Sequence, residues 1–180
     1  MTLRLRRQRE SVDDSEADGG HADEDYLAVS VVVGTFVAQP CRDRSAPAAH
    51  HQGAVMVDYR IELVFVPVAD TDRSRAFYGD TLGWSVDHDV RVSDDLRFVQ
   101  VTPPGSACSI AFGEGIGGDM APGTLRALQV VVASADEARA DLVARGIEVS
   151  PVEDLDWGRF VHFADPDGNT WAVQELPKRG

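Results

Sequence analysis

Two histidines are the side chains best suited to acid–base chemistry in this sequence. His162 lies in the apolar run Arg159 to Ala164, which predicts a strand, so its imidazole could face a cleft as a general base or as a ligand-binding donor. A structural, partly buried histidine is the alternative, because no second titrating group is spaced to work with it. His88 stands between Asp87 and Asp89, and we expect it to be a solvated surface residue.

Other catalytic signatures are absent from the sequence. It contains no Ser-His-Asp or Cys-His order, no P-loop and no dinucleotide-binding fingerprint. The glycine-rich run Gly113 to Gly118 is followed by no predicted helix and has no lysine nearby, although a phosphate-binding loop needs both. We interpret this run as a flexible linker between two units.

The elements that must position these residues occur as one unit written twice between Met56 and Pro177. The apolar run from Arg60 to Asp70 matches the run from Thr124 to Ser134, and each ends in a residue suited to cap a helix N-terminus. In the second copy Ser134 and Glu137 predict a capping box, and Gly146 predicts the left-handed end of the helix. In the first copy Asp70 and Gly83 take the equivalent places.

Each copy also closes with a hairpin, since Pro103 to Phe112 and Pro166 to Glu175 share a turn proline and a turn glycine before a strand. Short extended runs fill the space between helix and hairpin: Trp84 to Asp89, Leu96 to Thr102, Glu148 to Val152 and Arg159 to Ala164. The order in each copy is β-α-β-β-β. This order predicts an α+β fold in which two tandem units form a curved mixed sheet around a cleft.

Two motifs within this frame resemble a known family. Ala76-Phe77-Tyr78 with Leu82-Gly83-Trp84, and Phe163-Ala164-Asp165-Pro166-Asp167-Gly168-Asn169, are similar to the vicinal oxygen chelate superfamily, which includes glyoxalases, bleomycin resistance proteins and extradiol dioxygenases. The resemblance covers Met56 to about Pro177. It implies the fold rather than one activity, because one fold hosts many functions.

In the metal-using members, as the resemblance implies, the first and last strands of each unit supply four ligands to one divalent ion. The matching positions here are Leu63, Ser109, Ala127 and Ala172. Leucine and alanine have no lone pair to offer, and a single serine hydroxyl is a poor ligand, so we expect no metal cofactor. The alternative is a metal-dependent lyase, isomerase or dioxygenase whose ligands come from other positions, such as His162, Glu62 or Glu175.

What remains is a cleft with the character of a binding site for a small hydrophobic or cationic molecule, as in the bleomycin-resistance branch. Strand alternation and the loop before the seventh strand give the predicted ligand-binding residues: Leu63, Phe65, Ser109, Gln129, Trp157, His162, Ala172 and Gln174. Core packing or a dimer seam is the alternative for each of them. We leave open whether any catalysis occurs.

Charge supports a small-molecule partner rather than a nucleic acid. From Met56 to Gly180 there are 11 Lys and Arg residues against 21 Asp and Glu residues, a net charge of −10, which disfavours phosphate binding. We expect no membrane partner, a cytoplasmic location, and a homodimer that covers open sheet edges.

The residues before Met56 differ in composition. We interpret residues 1–55 as an N-terminal extension of low order, with one possible edge strand at residues 26–38, and residues 56–180 as the domain, divided into units 56–115 and 116–180. The apolar run at 26–38 is too short to span a membrane. We expect this extension to be dispensable for folding.

Overall fold

The computed structural model describes residues 57–178. The predicted extension 1–55, with its edge strand at 26–38, lies outside the described residues. The first unit contains β1 (Leu63–Phe65), α1 (Thr71–Arg75), a π-helical continuation of α1 (Ala76–Thr81), β2 (Ser85–Arg91), β3 (Arg97–Thr102) and β4 (Ser109–Glu114). The second contains β5 (Leu128–Val132), α2 (Ala135–Ala144), β6 (Glu153–Leu155), β7 (Gly158–Ala164) and β8 (Thr170–Glu175).

The predicted fold of two tandem β-α-β-β-β units is confirmed. The first sheet has the order β1-β4-β3-β2 and the second the order β5-β8-β7-β6, and in each the first strand runs parallel to the last. The remaining pairs are antiparallel. Among residues 57–178 no strand pairing joins the two sheets.

The helix caps follow the sequence. The Asp70 carboxylate accepts from the backbone N–H of Arg73, and the Ser134 hydroxyl accepts from that of Glu137. Gly146 has a φ of 80°, the left-handed conformation that ends α2 without steric cost. No helix in the described part of the chain is long and apolar enough to cross a membrane.

One arginine in each unit ties its helix to its sheet. Arg97 at the start of β3 lies 2.7 Å from Asp72 in the first turn of α1. Arg159 near the start of β7 lies 2.6 Å from Asp136 in the first turn of α2, and its guanidinium lowers the pKa of that carboxyl. The duplication therefore extends to the ion pairs that fix each helix.

The predicted position of one strand was wrong. The sequence placed it at Glu148 to Val152, whereas β6 begins at Glu153. Ser150 does lie beside β7, because its N–H donates to the His162 carbonyl at 2.9 Å. The next residue is Pro151, which has no N–H to continue a ladder, so regular pairing starts only after it.

The main core lies on the helix-covered faces of both sheets and is continuous between the units. The Tyr78 ring on the π-helix is 5.4 Å from the Phe112 ring of β4 and 6.0 Å from the Trp171 ring of β8. The Tyr78 hydroxyl donates to Asp165 at 2.8 Å and accepts from the Trp171 indole at 3.2 Å. We call Tyr78, Asp165, Asn169 and Trp171 the junction.

Candidate functional site

The face of each sheet that is directed away from its helix carries the predicted binding residues. The first cleft face is formed by the inward residues of β1, β3 and β4: Leu63, Phe65, Phe98, Gln100, Thr102, Ser109 and Ala111. The second cleft face is formed by those of β5, β7 and β8: Gln129, Val131, Phe160, His162, Ala172 and Gln174. Phe98 and Phe160 are buried but lie outside the main core cluster. This is expected, because the main core lies on the helix-covered face of each sheet and these two residues lie on the opposite face.

A chain of four polar side chains crosses the first cleft face. Gln100 donates through Nε2 to Ser109 Oγ at 3.2 Å, and the Ser109 and Thr102 hydroxyl oxygens are 2.6 Å apart. Thr102 donates in turn to the Asp87 carboxylate. Asp87 lies at the irregularity in the β2–β3 register between Val86 and His88. A bulge therefore brings this carboxylate to the threonine.

Gln100 carries a buried acceptor that nothing in the chain satisfies. Its residue is 6% exposed, and among the described residues its Oε1 is the buried side-chain polar atom without a hydrogen-bond partner. Most buried polar atoms in folded proteins are paired, because an unpaired one keeps the cost of losing its water. Such an atom on a cleft face indicates a position that a ligand can satisfy.

The second cleft face has a polar chain of its own, and this one is closed. Gln129 donates through Nε2 to Gln174 Oε1, and Gln174 donates through Nε2 to the Trp157 carbonyl at 2.9 Å. Gly158 permits this contact, because a Cβ there would lie 2.9 Å from Gln174 Nε2. Both ends of the Gln174 amide are thus used within the protein, and the Gln129 amide is the more available of the two.

His162 and Trp157 lie where the sequence places them. His162 is exposed on β7, and its ring stacks on Phe160 with 6.3 Å between centroids. This exposure differs from the partly buried structural histidine of the alternative interpretation. Trp157 is in the turn before β7 and is 61% exposed, so its closure over the second cleft face stays a prediction.

The structure also shows how the four metal-ligand positions are arranged. Leu63 is the register partner of Ser109, as expected for neighbours on the first and last strands. In the second unit the partner of Ala172 is Gln129, not Ala127. Ala127 precedes β5 with a left-handed φ of 54°, so it does not continue the strand alternation. Counting back from the helix cap therefore misplaced this position by two residues.

These residues do not fit a divalent ion. Leu63 and Ala172 offer no donor atom, and the Ser109 hydroxyl is engaged by Gln100 and Thr102. The amide of Gln129, the partner of Ala172, would then be the single available ligand of the four, which is too few to hold an ion. Across residues 57–178 no group of three or more His, Cys, Asp or Glu side chains is placed to hold a metal. Glu175, an alternative ligand, binds Arg159 and the backbone N–H at the start of α2, on the opposite face from His162.

Sequence reasoning missed Gln100, Thr102 and Asp87. The alternation in the run Phe98 to Thr102 would have placed Gln100 and Thr102 on one face, opposite Val99 and Val101. A lone amide in an otherwise apolar strand was the available signal. The role of Asp87 was not readable, because it depends on the register irregularity in β2.

The chain matches a protein-family model and solved structures. The model described as the Glyoxalase/Bleomycin resistance protein/Dioxygenase superfamily matches residues 60–173. TnmS3, an antibiotic binding protein from Streptomyces sp. CB03234, is 31% identical, with 68% of this chain and 100% of that chain covered and a TM-score of 0.62. No protein of curated function matches.

Two further structures carry the family description themselves. A glyoxalase/bleomycin resistance protein from Streptomyces sp. CB03234 is 32% identical, with 64% and 99% of the two chains covered and a TM-score of 0.57. A superfamily member from Sphaerobacter thermophilus DSM 20745 is 30% identical, with 67% and 99% covered and a TM-score of 0.59. With its duplicated units and both family motifs in place, this chain belongs to the glyoxalase/bleomycin resistance protein/dioxygenase superfamily.

Proposed function

We propose that this protein binds a small organic molecule on its cleft faces and does so without a metal. The observation that carries the proposal is the first cleft face. The positions that would supply metal ligands hold Leu63 and a Ser109 whose hydroxyl is already engaged, while the same face presents apolar side chains and one unpaired amide oxygen. Contact area with a few oriented polar groups is the character of a binding site for organic ligands.

An antibiotic is a ligand class that the comparisons support, since TnmS3 is an antibiotic binding protein of 31% identity. Within that class we expect a hydrophobic or cationic molecule. The apolar residues Leu63, Phe65 and Phe98 favour hydrophobic contact, and the net charge of the chain, −13, favours cations over anions.

We further propose that the protein acts as a homodimer in the cytoplasm. The two sheets are not paired with each other in the described part of the chain, so β1 and β5 are both edge strands. Val131 on β5 is 58% exposed on the second cleft face. Pairing with a second copy would cover both an open edge and this apolar surface. A monomer mass by light scattering at micromolar concentration would contradict this assembly.

The binding proposal is tested by thermal shift with a panel of small aromatic molecules and antibiotics, each assayed with and without EDTA. A ligand at a hundred times its Kd stabilises the folded state by about 2.7 kcal/mol, which is a shift of several degrees. We expect neutral and cationic members to raise the melting temperature and their anionic analogues to have no effect. EDTA should change none of these shifts.

Elemental analysis of the purified protein separates this proposal from the enzymatic alternative. We expect no stoichiometric zinc, iron, manganese or nickel. An equimolar metal, lost on chelation together with a measurable turnover, would overturn metal-free binding in favour of a lyase, isomerase or dioxygenase.

A further inference from the structure

The polar chain on the first cleft face has only one consistent direction for its hydrogen atoms. It begins at Asp87, because an ionised carboxylate accepts hydrogen bonds and donates none. Thr102 must therefore give its single hydroxyl hydrogen to Asp87. Since that hydrogen is used, the hydroxyl hydrogen between Thr102 and Ser109 must come from Ser109.

This direction fixes the orientation of the Gln100 amide. With its own hydrogen given to Thr102, Ser109 Oγ can only accept from Gln100, so the NH2 group must face the serine. The two ends of a glutamine amide are otherwise assigned from the hydrogen-bond network. Here the assignment follows from a carboxylate three side chains away, and the oxygen Oε1 is forced to the unpaired side.

The neighbours of Gln100 differ on its two sides, since they are apolar toward β1, whereas its register partner on β2 is the half-buried His88. Gln100 is the register partner of Ala111 on β4, and Ala111 is the register partner of Phe65 on β1. The alanine between them is only a methyl group. Ala111 and Phe65 would therefore contact the ring of a flat ligand whose polar edge is directed at Oε1.

We propose that Gln100 Oε1 selects ligands that carry an N–H or O–H donor at the edge of an apolar ring, and that Asp87, Thr102 and Ser109 enforce this selection by preventing the amide from turning. This inference rests on the proposed binding function and specifies the ligand chemistry. The free protein keeps an unpaired buried acceptor, so a donor that reaches it removes that penalty. A ligand edge bearing only an acceptor meets a second oxygen and is rejected.

The test compares 2-naphthol with 2-methoxynaphthalene, which share a ring system but differ in the hydrogen-bond donor. Isothermal titration of the full chain should show the naphthol binding about tenfold more tightly, the effect of one buried hydrogen bond. Gln100→Leu should bind the two compounds within about twofold of each other. The methyl group of 2-methoxynaphthalene adds the same bulk whether the wild type or Gln100→Leu is titrated. Its steric effect therefore cancels when the affinity ratio of the two compounds is compared between the two proteins.

Thr102→Val tests the enforcing chain. The substitution preserves shape but leaves the Ser109 hydroxyl free to donate to Gln100, so the amide can turn and the preference for the naphthol should fall several-fold. Thr81→Val makes the same change at the end of the π-helix and should retain the wild-type preference. If both variants lose the preference for 2-naphthol equally, or if Thr102→Val keeps it, the role of the hydrogen-bonded chain from Asp87 is overturned.

NMR of the free protein reads the orientation without any ligand. The side-chain NH2 protons of Gln100 should show nuclear Overhauser contacts to the Ser109 β-protons in the wild type, and these should weaken in Thr102→Val. An amide turned the other way overturns the inference. Equal affinity of the wild type for both naphthalenes also overturns it but leaves the binding function intact. If no compound binds, either in this test or in the thermal-shift panel, both the inference about Gln100 and the proposed binding function are overturned.

Discussion

The junction and the first cleft face both bury polar side chains, but only one of them satisfies all of its atoms. At the junction the Asp165 carboxylate accepts from Tyr78, from the Asn169 amide and from two backbone N–H groups. On the first cleft face the chain from Asp87 ends at an oxygen with no partner. A closed network stabilises the fold, whereas an open one lowers stability until a ligand completes it.

Asp165→Ala should have the largest effect on stability. It leaves the Tyr78 hydroxyl and one of the two Asn169 amide hydrogens without an acceptor in a buried place, and Asp165 itself is 5% exposed. We expect the free energy of unfolding in urea to fall by about 3 to 4 kcal/mol. Asp154→Ala removes an exposed carboxylate paired with Arg159 and should cost less than about 1 kcal/mol. Equal costs would show that the junction is not the stronger network.

Tyr78→Phe should cost about 1 to 3 kcal/mol and should alter the pH dependence of stability. Burial, followed by the nearby Asp165 carboxylate, raises the pKa of the Tyr78 phenol far above its ordinary value. The folded protein therefore keeps this proton while the unfolded chain loses it near about pH 10. The contribution of the protonated Tyr78 hydroxyl to the free energy of unfolding is therefore complete below that pH. Above it the contribution decreases by about 1.4 kcal/mol per pH unit.

The measurement for Tyr78→Phe is urea unfolding at about pH 8 and about pH 10.5, on either side of the ordinary tyrosine pKa. The difference between wild type and variant should shrink at the higher pH. A constant difference would mean that Tyr78 ionises equally in the folded and unfolded states.

Gln174→Leu tests whether the closed chain of the second cleft face behaves like the junction. The variant loses the bonds to Gln129 and to the Trp157 carbonyl, so we expect about 1 kcal/mol of lost stability and a more mobile turn before β7. Gln129→Leu should cost a similar amount, because Gln174 is 6% exposed and its Oε1 loses its donor. If the Gln129 amide bonds the ligand, the affinity should fall by about 1 to 3 kcal/mol. A fall in ligand affinity in Gln174→Leu but not in Gln129→Leu would assign the ligand contact to Gln174.

Gln100→Leu should change stability least and in the opposite direction. It gives up one neutral hydrogen bond but removes the unpaired acceptor, so the free energy of unfolding should stay the same or rise by about 1 kcal/mol. Chemical denaturation without ligand is the measurement. A loss above about 1 kcal/mol would show that Gln100 is structural, like Asp165.

Local signals in the sequence predicted the fold and several of its details. The caps at Asp70 and Ser134, the left-handed Gly146 and the order of both units are local properties, and the structure confirms them. The position opposite Ala172 was not predictable by counting from the cap, because the parallel pairing of β5 with β8 is a nonlocal choice.

The candidate site was predicted only in outline. Leu63, Phe65, Ser109, Gln129, Ala172 and Gln174 lie on cleft faces, as strand alternation implies, but their role in binding stays a prediction. Residue type alone could not show which glutamine amide is fully hydrogen-bonded within the protein. Gln174 and Gln100 are both glutamines on inward strand positions. Gly158 at the start of β7 lets Gln174 reach the Trp157 carbonyl and close its network, whereas the network that begins at the bulge in β2 leaves Gln100 Oε1 unpaired.

The repeated arginine tethers make each unit mechanically self-contained. Arg97 and Arg159 each hold a helix to a strand of the same unit, so neither tether resists a displacement of one unit against the other. That resistance comes from contacts across the units, foremost the Tyr78–Asp165 bond and the Tyr78–Trp171 contact. Damage at the junction should therefore loosen the packing of one unit against the other while each helix stays attached to its own sheet.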